Sequence, residues 1–159
     1  TWFDNRIRNL IDFSPANIGR ATTRGIEVSA QGKICDHYLG WRGCYTWQQA
    51  SDDVTGSRLV RRARHRASLD LMSEPVKGLL LGAGMTYSGG IEDNDFSVFP
   101  SVRKELDSVV LLRAYCSYQL NDNVSLHGRV ENLLDRTYEE IANYPGRGLG
   151  VFGGMRVRW

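Results

Sequence analysis

The sequence predicts an all-β protein, an antiparallel up-and-down transmembrane β-barrel built from about eight strands. Three observations predict it. Residues 149–159 alternate almost strictly: Leu149, Val151, Gly153, Met155, Val157 and Trp159 form an apolar or small series, and Gly150, Phe152, Gly154, Arg156 and Arg158 form the other. Successive side chains of a strand point to opposite faces, and roughly ten residues cross a bilayer when the strand is tilted. Seven earlier strand-like runs can be drawn, four of them with the same two-faced pattern and several of them long for a soluble sheet. The connections between the runs alternate between short and long, as they do when successive turns emerge at opposite rims of a barrel.

Taken in order, the predicted strands are residues 1–13, 21–32, 37–50, 58–72, 77–90, 105–119, 123–134 and 148–159. In the third, Leu39, Trp41, Gly43, Tyr45 and Trp47 share one face, and Gly40, Arg42, Cys44, Thr46 and Gln48 the other. In the fifth, Leu79, Leu81, Ala83, Met85 and Tyr87 oppose Gly82, Gly84, Thr86 and Ser88. In the sixth, Val110, Leu112, Ala114, Cys116 and Tyr118 oppose Arg113, Ser117 and Gln119, and in the seventh Val124, Leu126 and Val130 oppose Ser125, His127, Arg129 and Glu131. Short turns are expected at 33–36, 73–76 and 120–122, and long loops at 52–57, 91–104 and 135–147. Helical periodicity comes nearest at 131–142, where Asn132, Thr137 and Asn143 weaken it.

Alternation alone leaves the inside undecided. A soluble barrel turns its apolar face inward, and a membrane barrel turns it to lipid. Tyr38, Trp47, Tyr87, Tyr118 and Trp159 fall near strand ends, where an interfacial aromatic girdle sits, although Trp41 and Tyr45 blur that pattern.

Composition narrows the function. The chain is 42% hydrophobic and 24% charged with a formal net charge of +2, which is globular and gives no case for a nucleic-acid partner. No run of about 18 apolar residues forms a transmembrane helix. Cys35, Cys44 and Cys116 lack metal-site or redox spacing, so neither a metal nor an essential disulfide is expected. His37, His65 and His127 lie on separate segments, and no nucleophile elbow or phosphate-binding loop is present. The chain reads as no enzyme and as needing no cofactor. Asp93, Asn94 and Asp95 cluster without the rest of a calcium loop. Neither an initiator Met nor a signal peptide precedes the strand-like start, so the chain is expected to be the carboxy-terminal piece of a longer protein.

The run Glu131-Asn132-Leu133-Leu134-Asp135-Arg136-Thr137-Tyr138-Glu139-Glu140 is followed by Asn143-Tyr144-Pro145-Gly146-Arg147-Gly148 and then by the alternating strand ending in Trp159. This resembles the carboxy-terminal signature of TonB-dependent outer-membrane receptors. Arg24-Gly25-Ile26-Glu27-Val28 and Leu59-Val60-Arg61-Arg62-Ala63-Arg64-His65 resemble two further barrel strands of that family. Leu134 stands where Phe is usual, and Trp159 where Phe is commoner. Asn9-Leu10-Ile11-Asp12 brings the order and spacing nearest to vitamin B12 receptors.

The resemblance implies that residues 1–159 are the last eight strands of a twenty-two-stranded barrel, without its plug domain. It implies an outer-membrane location in a Gram-negative-type bacterium and TonB-energised uptake of cobalamin or an iron–siderophore. The implied partners are outer-membrane lipid, the plug, TonB through the missing amino-terminal part, the small-molecule ligand, and the barrel-assembly machinery, which reads Trp159. The motifs also have plain physical readings: Gly25 permits close backbone approach, Asn132 and Asp135 close a strand into its loop, and Pro145, Gly146 and Gly148 supply a turn.

Two sets of residues are candidates for function. Arg42, Arg62, Arg64, Arg113, Arg129, Glu131, Arg156 and Arg158, with Arg6, Arg8, Glu27, Gln31, Gln48, Arg66 and Asp70, are expected to line the lumen and meet the plug. The other reading of this set is cross-strand ion pairs with no partner. Asp93, Asn94, Asp95, Phe96 and Phe99 are expected in an extracellular loop that captures ligand, against the simpler reading of a solvated acidic loop. Two other functions fit the alternation: a self-contained eight-stranded membrane barrel with a structural or adhesive role, and a soluble β-barrel holding a small apolar ligand.

Overall fold

A computed structural model describes residues 1–11, 17–34 and 39–159. The strands are β1 (Trp2–Ile11), β2 (Asn17–Ile34), β3 (Leu39–Asp52), β4 (His65–Val76), β5 (Leu79–Gly89), β6 (Ile91–Asp95), β7 (Val102–Leu106), β8 (Val109–Gln119), β9 (Val124–Glu131), β10 (Glu139–Ile141), β11 (Tyr144–Pro145) and β12 (Gly150–Val157). Eight of them form one antiparallel sheet in the order β1-β2-β3-β4-β5-β8-β9-β12. Each strand pairs with its neighbour along the chain once the small hairpins are set aside, which is the expected up-and-down path. Among the described residues β1 and β12 are the two edges, and the sheet does not close on itself.

The expected strands are borne out, with three corrections. The fourth begins at His65 rather than near residue 58, because residues 53–64 fold back as a loop joined to β3 by a bridge between Ser51 and Arg58. Pro75 does not make the turn between β4 and β5. It lies in β4 at a register irregularity between Ser73 and Val76, and Lys77 and Gly78 turn the chain with Gly78 at φ 83°. The long loops at 91–104 and 135–147 are not featureless, since they carry the hairpins β6–β7 and β10–β11. The predicted positions of Cys35, His37, Tyr38 and Asp12 lie outside the described residues.

The two faces are those read from the alternation. Val28, Tyr45, Ala67, Tyr87 and Val110 register in one row, and Gly43, Leu69, Met85 and Leu112 in the next. Val28, Leu69, Met85, Val110, Leu126 and Met155 on this face are all exposed. Among the described residues no apolar core packs against this face. The buried apolar cluster is Ala63, Ile91, Leu106 and Ala142, under the loops. A soluble barrel would bury this face, whereas a membrane barrel presents it to hydrocarbon. Tyr45 and Tyr87 share one row, with Trp47 two residues further along β3, so Tyr45 belongs to the aromatic belt at one boundary.

β2 has 18 residues and β3 has 14, more than the 9–11 or so that span hydrocarbon. These two strands therefore stand beyond the apolar band at the long-loop end.

Gly25 shows how tightly neighbouring strands meet. It sits opposite Phe3 and Gln48. A Cβ there would lie 2.3 Å from the Trp47 carbonyl oxygen and 2.4 Å from the Phe3 ring. Gly43 has only ordinary contacts, the nearest at 3.7 Å. Gly25→Ala is expected to destabilise the barrel by about 1–3 kcal/mol through overpacking, and Gly43→Ala by much less. Thermal unfolding of the two variants in detergent, followed by β-sheet circular dichroism, checks the difference.

Candidate functional site

The polar face is organised as a row of charge running across the sheet. Gln31, Arg42, Asp70, Gly84, Arg113, Glu131 and Gly150 are successive register partners from β2 to β12. Arg113 reaches over Gly84 to Asp70, with Nη2 and Oδ1 2.5 Å apart. Glycine makes this possible, because a Cβ at 84 would lie 2.5 Å from Arg113 Nε and 2.6 Å from Asp70 Oδ1. Arg129 Nε lies 2.9 Å from Glu131 Oε1, and its guanidinium stacks 4.5 Å from the centre of the Phe152 ring. Tyr115 and His127 continue this face beside Arg129. Cys44 and Ser68 add a 3.1 Å contact on the same face of β3 and β4.

The other predicted lumen residues divide. Arg66 and Arg156 lie on the polar face by register, opposite Thr46 and Ser125 respectively. Among the described residues, Arg42, Arg66, Arg156 and Arg158 have no carboxylate partner. Arg62 and Arg64 lie in the loop before β4, not inside a strand. Arg64 follows the polar face, since its carbonyl accepts from the Gln48 amide. Arg6 and Arg8 are a correction. They register with Thr22 and Arg20, on the same face as Trp2 and Ile26, and so lie on the apolar side of the sheet rather than the polar one. Part of the set is thus ion-paired within the sheet, and part faces the polar side with no carboxylate partner among the described residues.

At the long-loop end, three loops fold into one cap. Asp93 is its knot. The residue is only 1% exposed, and its carboxylate accepts from Arg61 Nε at 3.0 Å, from the Ala142 amide at 2.9 Å and from the Asn94 amide at 2.9 Å. This joins the loop after β3, the β6–β7 hairpin and the loop carrying β10. Arg61 takes φ 59°, uncommon for an arginine, and is held there by its amide bond to the Glu92 carbonyl, 2.7 Å, and by Asp93. Glu92 accepts from both Arg58 and Arg103. Lys104 Nζ lies 3.1 Å from Glu139, and Asn143 donates to Asp95 at 2.7 Å.

The signature residues close the remaining side of the cap. Asn132 is buried at φ 49°, and its side chain donates to the carbonyls of Arg136 and Arg147 and accepts from the Arg136 amide. Asp135, at φ 46°, accepts from the Leu149 amide at 2.8 Å. Asn and Asp tolerate this left-handed conformation better than other side chains do. The motif is therefore a clamp that returns the chain to β12.

Of the predicted capture loop, Asp93 and Asp95 are engaged inside the cap, while Phe96 and Phe99 stand exposed at the hairpin tip. The ties through Arg58, Glu92, Arg103, Lys104 and Glu139 escaped the sequence reading. A signal for part of them exists: in register Asp93 faces Lys104 and Asn94 faces Arg103, a polar pairing that marks a hairpin, although Glu92 faces Glu105. Among the described residues no cluster of three or more His, Cys, Asp or Glu forms a metal site.

Burial pushes the Asp93 carboxyl up, but the Ala142 and Asn94 amides and the Arg61 guanidinium together hold it below the ordinary range. Ser97 lowers Asp95 through its hydroxyl and amide, with help from Asn143, and Lys104 lowers Glu139. Groups depressed in the folded state add stability above their ordinary values of about 4 and lose it as pH falls through the folded values. The cap is therefore expected to hold at neutral pH and to open first in acid, below about pH 4. Asp93→Ala is expected to speed hydrogen exchange at the Ala142 amide roughly 100-fold at pH 7, the loss of about 3 kcal/mol of charge-assisted bonding. Hydrogen exchange with mass spectrometry across residues 91–106 and 132–149 checks both.

A family model described as "TonB dependent receptor-like, beta-barrel" matches residues 1–133. The vitamin B12 transporter BtuB of Vibrio cholerae serotype O1 is 29% identical over 153 residues, covering 91% of this chain and 24% of the transporter. The chain thus spans about a quarter of the length of the curated relatives it matches. The pyoverdine outer membrane receptor FpvA from Pseudomonas aeruginosa PAO1 shares the fold with a TM-score of 0.76 at 18% identity, over 99% of this chain and 26% of that one. The ferric-catecholate import receptor Fiu from K12 E. coli does so with a TM-score of 0.74 at 22% identity, over 98% and 24%. The resemblance drawn from the signature motifs is borne out, and the matched proteins are receptors and transporters, not enzymes. By its matched residues and by its open, two-faced sheet, the chain belongs to the TonB-dependent receptor-like β-barrel family.

Proposed function

We propose that this chain is the carboxy-terminal barrel portion of an outer-membrane receptor that takes up cobalamin or an iron–siderophore, energised by TonB through a plug domain. The observation that carries the proposal is the exposed apolar face backed by a charged one, with a loop cap at a single end. One face suits hydrocarbon, the other a water-filled or plugged lumen, and the cap marks the outer rim. The 29% identity to a vitamin B12 transporter favours cobalamin as the first ligand to test. The self-contained barrel is disfavoured by the open edges of β1 and β12.

In this reading Arg42, Arg66, Arg156 and Arg158 meet the plug, because their charges lack partners in the sheet. The Asp70–Arg113 and Arg129–Glu131 pairs hold the wall itself. Ligand capture falls to Phe96 and Phe99 at the tip, with Asp93, Asn94 and Asp95 supporting the hairpin beneath them. Trp159 at the end of the final strand serves barrel assembly.

The test is uptake of radiolabelled cobalamin, and separately of iron–siderophore complexes, by cells whose only such receptor is the full-length protein. TonB-dependent uptake of one of them is expected, and uptake of neither, or uptake indifferent to loss of TonB, overturns the proposal. Arg42→Gln, Arg156→Gln and Arg158→Gln combined are expected to raise hydrogen exchange in the plug. Unchanged plug protection would show that these arginines do not hold it.

A further inference from the structure

Arg6, Arg8, Arg20 and Arg24 form a cluster that neither the lumen nor the cap uses. They line a shallow pocket with Thr22 and Asp53. Their sidedness is complete. Along β1 and β2 beyond the apolar band, the outward positions are Asp4, Arg6, Arg8, Arg20, Thr22 and Arg24, and the inward ones are Asn5, Ile7, Ala21 and Thr23. All four arginines thus point to the lipid side, and no charge points inward.

The position along the strand is equally specific. On the outward face β2 reads Val28, Ile26, Arg24, Thr22 and Arg20, with Trp2 and Trp47 registered beside Ile26. Hydrophobic side chains and a pair of tryptophans therefore end where the arginines begin. Two residues further along is about 6.6 Å of strand, or about 5 Å of height at a tilt near 45°. Arg24 then sits at headgroup depth, and Arg6, Arg8 and Arg20 stand just outside it.

The cluster carries unspent charge. Asp4 contacts Arg24 at 3.2 Å and lies 3.8 Å from Arg6, too far for a hydrogen bond. Asp53 is taken by the Thr22 hydroxyl at 2.8 Å. Among the described residues Arg8 and Arg20 have no carboxylate partner. Four guanidiniums against two carboxylates leave a net positive site, and guanidinium forks suit phosphate oxygens in bidentate geometry.

We infer that Arg6, Arg8, Arg20 and Arg24 form a binding site for the phosphate-bearing headgroup of a membrane lipid, on the outer wall at the long-loop rim. The inference rests on the membrane reading proposed above. The apolar band below supplies the surface for the acyl chains, so lipid chemistry fits the site better than a free anion does.

The test uses the full-length receptor in nanodiscs of phosphatidylcholine with a minor fraction of phosphatidic acid, a phosphomonoester lipid. Native mass spectrometry counts the lipids that stay bound. The wild type is expected to retain phosphatidic acid selectively. Retention is expected to fall about fivefold for each arginine removed through Arg8→Gln, Arg20→Gln and Arg24→Gln, while Lys33→Gln, at the opposite end of β2, leaves it unchanged. Equal retention of the two lipids, or selectivity surviving the triple variant, overturns the site. Displacement by equimolar inorganic phosphate would assign the pocket to a soluble anion and overturn the headgroup reading. Failure of the receptor to insert into the bilayer would overturn the membrane reading and the site together, whereas insertion without lipid preference overturns the site alone.

Discussion

Lateral backbone pairing is the constraint from which the rest of this structure follows. Hydrocarbon offers no partner to a peptide N–H or C=O, so a strand facing lipid must satisfy both sideways, against its neighbours. The inner strands of the eight-stranded sheet do this with almost unbroken register, the one irregularity among the described residues of its ladders lying between Ser73 and Val76 near a turn. Register then fixes everything else. A slip of one residue would exchange the faces and put Arg42 and Arg113 into lipid while Leu69 and Met85 entered the lumen. Glycines serve this pairing where large side chains must cross a neighbouring strand, as Phe3 does over Gly25 and Arg113 over Gly84.

The loop cap solves a different problem with different forces. Its apolar cluster is small, four residues of which two are alanines. It therefore depends on buried charge. Asp93 is affordable at 1% exposure because two amides and a guanidinium replace its lost water. That arrangement ties three loops that are far apart in sequence, with Asp93 and Ala142 separated by 49 residues. A cap held by charge rather than by apolar packing can be reset by pH, whereas the sheet beneath it is held by backbone hydrogen bonds, which do not titrate. The sheet and the cap thus divide the labour between a fixed wall and an adjustable rim.

Charge has three separate uses on this chain, sorted by geometry rather than by residue type. Arg113 and Arg129 strengthen the wall through Asp70 and Glu131. Arg58, Arg61 and Arg103 knit the cap. Arg8 and Arg20 register together above the apolar band, on its outward face, with no carboxylate partner among the described residues. A composition rich in arginine gives no hint of this division, because the face on which a side chain emerges depends on strand parity and on where each strand begins.

Strand number, the two faces and the final signature were legible in the sequence, because period-two alternation is local and survives without tertiary information. Arg42, Arg113, Arg129, Glu131 and Arg156 were placed on the polar face by parity alone. Parity failed for Arg6 and Arg8, where the start of β1 carried no fixed reference until its register with β2 was known. It failed at residue 58, where a loop pinned by Asp93 replaced strand. The acidic run from Glu92 to Asp95 looked like a solvated loop because the bases that answer it, Arg58, Arg61 and Arg103, are distant in the chain. By itself the sequence determined which residues alternate, and hence the class of fold. The tertiary structure decided which side of the sheet each charge serves and which carboxylate is buried, since both depend on partners that pairing and loop closure bring together.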